Sequence, residues 1–227
     1  MEHKHRYPAR GGTSPLLKQQ QNPQKDRDPG PPPIPLLNND SQTIVPNTPG
    51  SSITMEITNV VATATLTTPL DLEYLQQRLE GSVLQKTTGH WLKYRLQPEN
   101  RYIAFYKSGK FLITGKGVIE SLDSLTRRIL ALIHTAGIDA EILRVDINNI
   151  VAKDTLPLRA SLETVIAVLD PQKAEYEPEQ FPALIYKDWG VTFLLFSSGS
   201  VIITGAKSVD VAHEALREFE MQLARIG

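Results

Sequence analysis

One ten-residue motif occurs twice in this chain, and the repetition limits the possible folds more than any other feature. Residues 106–115 read YKSGKFLITG, and residues 196–205 read FSSGSVIITG, 90 positions later. The same offset aligns further identical residues without a gap: Asn59/Asn149, Val61/Val151, Ala62/Ala152, Thr65/Thr155, Leu66/Leu156, Leu72/Leu162 and Glu73/Glu163. A unit of this length is longer than the solenoid periods of roughly 20–50 residues. It indicates a tandem duplication that builds one pseudo-symmetric domain.

The composition is that of an ordinary globular protein, and it excludes several kinds of site. The 227 residues are 41% hydrophobic and include no cysteine, which rules out disulfides, Cys-ligated zinc and thiol nucleophiles. A chain without cysteine gives no reason to expect secretion, so we expect a reducing compartment. The N-terminus MEHKHRYPARGG lacks the apolar segment of a signal peptide, and no apolar run reaches the roughly 18 residues that span a bilayer. We expect a soluble intracellular protein without a membrane partner.

The net charge of −1 conceals an uneven distribution. Residues 55–144 carry 11 Lys and Arg against 9 Asp and Glu, whereas residues 145–227 carry 7 against 12. The first unit is therefore mildly basic and the second acidic. If the protein binds nucleic acid, a local basic face matters more than the total charge, because that face releases the counterions.

The chain divides into a polar tail and two similar units. Residues 1–54 are rich in Pro, Gln, Asn and Ser and show no apolar period, so we predict a disordered tail. A saddle-forming domain is predicted over 55–227, with repeat 1 over about 55–144 and repeat 2 over about 145–227. Each unit reads as strand, helix, several short strands and a long amphipathic helix. Helices on one face of an antiparallel sheet leave its other face open, so the fold class is α+β.

The individual elements follow from alternation and capping. In ITNVVATATL (57–66), alternation places Asn59 and Val61 on one face and Val60 and Ala62 on the other. A short helix after Asp71 and a long helix over 121–137, capped by Ser121, are predicted in the first unit. The second unit predicts a strand over 145–155, helices near 158–169 and 209–225, and strands near 173–177, 181–186, 191–196 and 201–204.

The open face of this sheet is expected to be apolar rather than polar. Alternation assigns to it these hydrophobic side chains: Val61, Leu112, Val151, Phe181, Leu194, Phe196 and Ile202. Asparagines and threonines lie among them. An uncovered surface of this kind indicates a binding partner.

Four segments closely resemble the TATA-box-binding protein family, archaeal and eukaryotic alike. EYEPEQFPALIY (175–186) and FLLFSSGSVIITGAKS (193–208) are similar to the second repeat of the family, and NVVATATL with SGKFLITGKG to the first. The resemblance covers about residues 55–227. It implies a curved antiparallel ten-stranded saddle with helices on the convex face, made of two pseudo-two-fold repeats. It also implies a general transcription initiation factor that binds and bends double-stranded A·T-rich promoter DNA through the minor groove and nucleates preinitiation complex assembly.

The resemblance assigns roles to individual residues. Phe181 and Phe196 match the intercalating phenylalanines of the second repeat, and the offset of 90 places Trp91 and Tyr106 at the equivalent positions of the first. Base contacts are implied for Asn59, Asn149, Thr114 and Thr204. Groove-lining contacts are implied for Val61, Val151, Leu112, Leu194 and Ile202. Phosphate contacts are implied for Arg95, Arg101, Lys110, Lys116, Lys187 and Lys207.

Several positions depart from the family pattern. The family usually has phenylalanine at the positions of Trp91 and Tyr106, a leucine at that of Ala104 and often a lysine at that of Ser200. The turn in KDWGVT (187–192) is shortened and lacks the usual arginine. We therefore predict weaker and less salt-sensitive DNA binding than in a typical member, and a divergent member, such as a related factor of a unicellular eukaryote.

The resemblance also implies protein partners. Glu177, Glu179 and Gln180 correspond to the acidic loop that contacts transcription factor IIB in the family, and excess negative charge suits a basic partner. Further expected partners are IIA-like factors, TBP-associated factors and the RNA polymerase machinery, with weak self-association through the apolar face. The nucleus is the expected compartment, or the cytoplasm if the chain is archaeal.

The chain carries no pattern of an enzyme, and no cofactor is expected. GKFLITGKG has five residues between Gly109 and Gly115 where a P-loop has four, and Gly117 follows the lysine where Ser or Thr is required. The histidines show no metal-ligand spacing: His3, His5, His90, His134 and His213. The alternative to a TATA-binding factor is an interaction scaffold of transcription that keeps the saddle and has weak or lost TATA binding. The substitutions in the first repeat favour that alternative, whereas the retained asparagine and threonine pairs oppose it.

Overall fold

The computed structural model describes residues 55–87 and 89–226, which form ten strands and four helices. The predicted tail over 1–54 lies outside the described residues. The strands are β1 Glu56–Leu66, β2 Val83–Gln85, β3 Trp91–Leu96, β4 Arg101–Tyr106, β5 Lys110–Gly115, β6 Ile142–Thr155, β7 Ala174–Glu175, β8 Ala183–Asp188, β9 Val191–Phe196 and β10 Ser200–Ala206. The helices are α1 Leu72–Arg78, α2 Val118–Thr135, α3 Leu162–Ile166 and α4 Val209–Ala224.

All ten strands belong to one antiparallel sheet in the order β2-β3-β4-β5-β1-β6-β10-β9-β8-β7. The two longest strands, β1 and β6, lie at the centre, and the two shortest, β2 and β7, lie at the ends. Val60 of β1 pairs with Ile150 of β6. On one side of this pair Asn59 pairs with Val151, and on the other side Val61 pairs with Asn149, so the two flanking pairs have the same residue types with the strands exchanged. The pseudo-two-fold axis therefore passes between β1 and β6 at Val60 and Ile150. The predicted α+β fold with a ten-stranded antiparallel sheet is confirmed.

The core lies on one face of this sheet, under the helices. Val60, Ala62 and Ala64 of β1 are buried there, and α2 packs on β1 and β5 while α4 packs on β10 and β6. In the second half Phe219 of α4 stacks with Phe193 and Tyr186 of the sheet, with ring centroids 4.4–6.4 Å apart. Because all four helices belong to this side of the fold, the opposite face of the sheet is left without a covering element among the described residues.

Local capping explains where most helices begin. The Asp71 carboxylate accepts a hydrogen bond from the Tyr74 N–H (2.9 Å) at the start of α1, and Ser161 and Ser208 cap α3 and α4 in the same way. The predicted cap Ser121 of the second helix is wrong. α2 begins at Val118, directly after Gly117, and the Ser121 hydroxyl donates to the Gly117 carbonyl (2.6 Å) inside the helix.

The repeated motif forms the same hairpin in both halves. Gly109 and Gly199 have φ of +79° and +84°, and each is buried. Their carbonyls accept hydrogen bonds from the N–H groups of Leu66, the last residue of β1, and Leu156, directly after β6, at 2.8 Å in both cases. A Cβ at Gly199 would overlap the Leu156 carbonyl oxygen, and a Cβ at Gly109 would overlap that of Thr68. Glycine is therefore required twice, by conformation and by space.

Within residues 55–87 and 89–226, no helix combines the length and the hydropathy that crossing a membrane requires.

Candidate nucleic-acid interface

A symmetric row of side chains crosses the centre of the open face. Neighbours in a sheet share a face when they are directly paired. Asn59, Val151 and Thr204 are paired in sequence across β1, β6 and β10, and Asn149, Val61 and Thr114 are paired across β6, β1 and β5. The two triplets are related by the axis at Val60 and Ile150. Amide, isopropyl and hydroxyl groups thus alternate in the same order on both sides of that axis.

The two asparagines of this row have different hydrogen bonds. Asn149 Oδ1 accepts from the Gly205 N–H (2.6 Å) and from the Thr204 hydroxyl (3.3 Å). The Gly205 N–H can only donate, so these bonds identify the oxygen and leave the Asn149 amino group as a donor. Both amide atoms of Asn59 are buried and find no partner among the described residues. Leaving such groups unpaired costs roughly 1–3 kcal/mol, a cost that a ligand with complementary groups removes.

The second half presents an aromatic pair that is exposed at Phe181 and partly exposed at Phe196. The Phe181 and Phe196 rings meet edge to face with centroids 6.4 Å apart, and Phe181 is 41% exposed. Phe196 ends β9 and lies directly opposite Ala183, a small side chain that is almost fully covered. Leu194 and Ile202 are partly exposed neighbours on the same face. The pair is a preformed apolar projection at one end of a half-exposed apolar floor.

In the first half of the open face the side chains are buried against one another, and this half is called closed. Val61, Ala104 and Leu112 form a second buried cluster with Trp91 and Tyr106, which are each only 8% exposed. This cluster is separate from the main core under the helices. The small Ala104 lies between Lys93 and Leu112 in the register, next to the large rings. The two halves of the open face therefore differ, although their backbones are related by the same axis.

The strand register corrects the predicted equivalence of Trp91 and Phe181. Trp91 pairs with Tyr106, whereas Ala183 pairs with Phe196. Because Tyr106 and Phe196 are mates, Trp91 is the counterpart of Ala183, and the offset on β3 and β8 is two residues larger than 90. The cause is the loop between strands, which spans 97–100 in the first half and only 189–190 in the second. The first half therefore has no preformed aromatic pair like that of Phe181 and Phe196.

The predicted phosphate contacts fall into two groups. Arg95, Lys110, Lys187 and Lys207 are at least partly exposed, and Arg95 and Lys187 lie in equivalent positions beside Tyr102 and Thr192. Arg95 lies over the Tyr102 ring at 5.3 Å, which holds its guanidinium near the open face.

Arg101 and Lys116 are already engaged within the protein. Arg101 Nη1 donates to the Lys116 carbonyl (2.7 Å), and burial lowers the pKa of Arg101, opposed by the nearby Glu99 carboxylate. The guanidinium fastens the junction between β5 and α2, a structural role that the prediction of a phosphate contact did not include. Lys116 Nζ pairs with the Glu56 carboxylate at 2.9 Å.

Sequence reasoning missed several residues of the open face. Lys93 pairs with Ala104, Lys153 pairs with Ile202, and Tyr102 pairs with Thr114. Glu56 pairs with Lys153 and its mate Asp146 pairs with Thr63. Lys153 could have been assigned to the open face from the sequence, because it lies 90 residues after Thr63, which is on that face. Lys93 could have been assigned only by allowing for the different loop lengths of the two halves.

The acidic loop before β8 is a tight turn that positions Phe181. The N–H groups of Gln180 and Phe181 both donate to the Glu177 carbonyl at 2.9 Å. Gln180 also donates to the Glu177 carboxylate, while Glu179 is exposed. The loop thus carries its negative charge outward and turns the aromatic side chain back over the sheet.

Comparisons with known proteins agree on one family. The family described as "Transcription factor TFIID (or TATA-binding protein, TBP)" matches residues 54–136 and 144–226. The TATA-box-binding protein C of Halobacterium salinarum is 32% identical over 180 residues, which cover 77% of this chain and 99% of that protein. The TATA-box-binding protein of Methanothermobacter thermautotrophicus is 34% identical over 179 residues, covering 78% and 98%. The solved structure of Methanococcus jannaschii TBP has a TM-score of 0.66 and 29% identity, and the match covers 75% of this chain and 98% of that one.

Among the described residues, no group of three or more His, Cys, Asp or Glu side chains is placed to hold a metal ion.

Proposed function

The chain belongs to the TATA-binding protein family, and from this membership we propose that it is a general transcription initiation factor that binds and bends A·T-rich promoter DNA through the minor groove. It is not an enzyme. The observation that carries the proposal is the symmetric row of Asn59, Val151 and Thr204 with its mates Asn149, Val61 and Thr114. A nearly symmetric row fits the nearly symmetric edges of a duplex.

The chemistry of this row suits A·T base pairs. In the minor groove A·T and T·A present only acceptors, whereas G·C adds the guanine amino group. The amino group of Asn149 and the unpaired amide of Asn59 offer donors to those acceptors. The isopropyl groups of Val61 and Val151 fill the floor between them and would collide with an amino group. A mostly apolar floor with few donors therefore selects A·T.

The exposed phenylalanines supply the bend. Apolar side chains that insert between base steps unstack them and kink the duplex toward the major groove, a mode of binding of which this family is itself a known example. Phe181 and Phe196 are the only aromatic pair on the open face that the described residues present to solvent. The second half therefore supplies the inserted side chains that kink the duplex. The closed first half contacts the groove by shape complementarity, without an exposed aromatic pair.

We further propose protein partners for the second half. The outward Glu177 and Glu179 suit a basic, factor IIB-like protein, and IIA-like factors, TBP-associated factors and RNA polymerase machinery complete the assembly. The relatives reported above come from archaea, which favours the cytoplasm over the nucleus as the compartment.

A second candidate function is an interaction scaffold of transcription with weak TATA binding. The buried cluster of Trp91, Tyr106 and Leu112 favours it, because that half of the face lacks an exposed wedge. The intact central row and the exposed Phe181 and Phe196 favour DNA, since a protein scaffold has no physical need for them.

A titration of the full chain separates the two functions. Fluorescence anisotropy would be measured with a labelled TATA duplex and a G·C-rich duplex of equal length at one fixed salt concentration. We expect the TATA duplex to bind at least about 100-fold tighter, because several mismatched base pairs at roughly 1–3 kcal/mol each separate the two duplexes. Equal affinity for both duplexes would reject the proposed function and favour the scaffold.

Tryptophan fluorescence tests which face the DNA covers. Trp91 lies on the open face, whereas Trp189 packs edge to face on Tyr186 and Phe193 on the helix side. The chain has only these two tryptophans. We therefore expect a TATA duplex to change the emission of a Trp189→Phe variant and to leave that of a Trp91→Phe variant unchanged. The reverse pattern would place the duplex on the helix side.

A further inference from the structure

A carboxylate lies on the face that the proposed function gives to DNA. Glu56 begins β1 between Met55, which is buried in the main core, and Ile57, which packs against that core. Glu56 is paired with Lys153, and Lys153 is paired with Ile202 of the open face. The carboxylate of Glu56 therefore belongs to the open face. DNA repels such a group, so its presence there requires an explanation.

Two lysines hold this carboxylate, one at each oxygen. Lys116 Nζ lies 2.9 Å from Oε1, and Lys153 Nζ lies 3.0 Å from Oε2. The Glu56 side chain is only 14% exposed, so water and salt screen these pairs less than they screen an ion pair on the surface. The carboxylate cancels one of the two positive charges. It also fixes the position of both ammonium groups.

The triad lies beside the groove rather than over the base edges. The pair Glu56–Lys153 lies three ladder steps from the pair Val60–Ile150 on the pseudo-two-fold axis, because β1 has a bulge between Ile57 and Asn59. Three steps are about 10 Å at roughly 3.3 Å per residue. The minor groove of B-DNA is only about 6 Å wide. A group this far from the axis faces the sugar–phosphate backbone when the central row contacts the bases. Lys116 and Lys153 are therefore within the region of the phosphates, and so is the acid that holds them.

We propose that Glu56 is an internal competitor of the DNA phosphates, which holds Lys116 and Lys153 and so limits the electrostatic part of DNA binding. The inference rests on the proposed function and deepens it. Binding to any duplex through phosphates is electrostatic and independent of sequence. By keeping two lysines engaged, Glu56 weakens that general attraction and leaves recognition to the central row. Lys153 is thereby a phosphate contact that Glu56 controls by competing for its ammonium group.

The pseudo-symmetry supplies a matched control. Asp146 occupies the position of Glu56 in the second unit, 90 residues later, and pairs with Thr63 on the open face. Within the part of the chain that the structure describes, its carboxylate contacts one cation, Arg144, at 3.0 Å, and the two side chains are 45% and 68% exposed. Such a pair contributes little, because solvent screens it. Asp146→Asn therefore removes the same charge from the same face without releasing two lysines.

The experiment compares the salt dependence of DNA binding in the full chain. Affinity for the TATA duplex would be measured at several salt concentrations for the wild type, Glu56→Gln, Asp146→Asn and the triple variant Glu56→Gln/Lys116→Met/Lys153→Met. Each phosphate contact adds about 0.9 to the slope of log affinity against log salt. We expect Glu56→Gln to steepen this slope by about 1–2 and to bind about tenfold tighter at low salt. Asp146→Asn should keep the wild-type slope, and the triple variant should return to it.

The results that overturn the inference are distinct from those that overturn the function. The proposed role of Glu56 is contradicted if Glu56→Gln has the same salt slope as the wild type. It is also contradicted if the triple variant has a salt slope as steep as that of Glu56→Gln. A wild type that does not prefer the TATA duplex removes the proposed function instead. Elution from a heparin column then still tests Glu56, since Glu56→Gln should elute at higher salt than Asp146→Asn. Thermal melting of every variant confirms that each is folded.

Discussion

Phe196→Ala should lower the affinity for a TATA duplex by at least about 30-fold, which corresponds to the roughly 2 kcal/mol or more of an interface hot spot. The reason is that Phe196 carries the exposed pair. Its ring contacts Phe181 edge to face at 6.4 Å, and Phe181 is 41% exposed. Without the ring of Phe196, Phe181 loses its support and the wedge is incomplete. Anisotropy gives the affinity, and energy transfer between labelled duplex ends gives the bend, which should decrease in parallel.

The control for this prediction is Phe196→Leu, which keeps an apolar wedge. Leucine also serves as a wedge in proteins that bend DNA, so the loss should stay below about tenfold, in line with the cost of less than about 1.5 kcal/mol for swaps between large hydrophobic residues. Phe196 is only partly buried, and both variants should therefore melt near the wild-type temperature. A Phe196→Ala protein that binds and bends DNA like the wild type would show that the second half does not insert this pair.

Gly199→Ala should have the largest effect on stability, a decrease in the melting temperature of about 10 °C. A left-handed residue other than glycine costs about 1–2 kcal/mol, and the overlap of the new Cβ with the Leu156 carbonyl oxygen adds at least as much. That carbonyl belongs to the backbone and cannot move aside as a side chain can. For a domain of this size each kcal/mol lowers the melting temperature by about 2–4 °C. Differential scanning calorimetry measures the change.

Gly190→Ala separates the two contributions. Gly190 also has a positive φ, +75°, but a Cβ there would meet no atom within 4 Å. This variant should therefore suffer the conformational cost alone and melt about 2–8 °C below the wild type, less than Gly199→Ala measured beside it. Equal losses for Gly190→Ala and Gly199→Ala would mean that the close contact with the end of β6 has no role in the repeated motif.

The repeat made the centre of the fold predictable. β1 and β6 align without a gap, so one offset places Asn59, Asn149, Val61 and Val151 on one face, as the register shows. Further from the centre the offset changes, because the loop between β3 and β4 is two residues longer than its counterpart. The sequence showed that the turn in 187–192 is shortened, but the ungapped offset of 90 was still applied to the strand before it. Trp91 was therefore paired with Phe181 instead of Ala183, and the closed state of the first half could not be predicted.

The charged residues show a second limit of sequence reasoning. A lysine or arginine near a predicted interface looks available for phosphate, but its tertiary partners decide whether it is. Arg101 is bound to a backbone carbonyl, and Lys116 is held by a carboxylate 60 residues away in the chain. Lys153 could be found from Thr63 by the offset, whereas its link to Glu56 depends on the pairing of β1 with β6. Such links appear only once the strands are assembled.

The shortness of the outermost strands bears on how the protein behaves at high concentration. A long sheet with free edges offers unpaired N–H and C=O groups to other chains and invites edge-to-edge aggregation. Here the ten-stranded sheet ends in β2 and β7, which have three and two residues, so each edge offers very few such groups. Growth of the sheet from molecule to molecule is thereby discouraged at both ends.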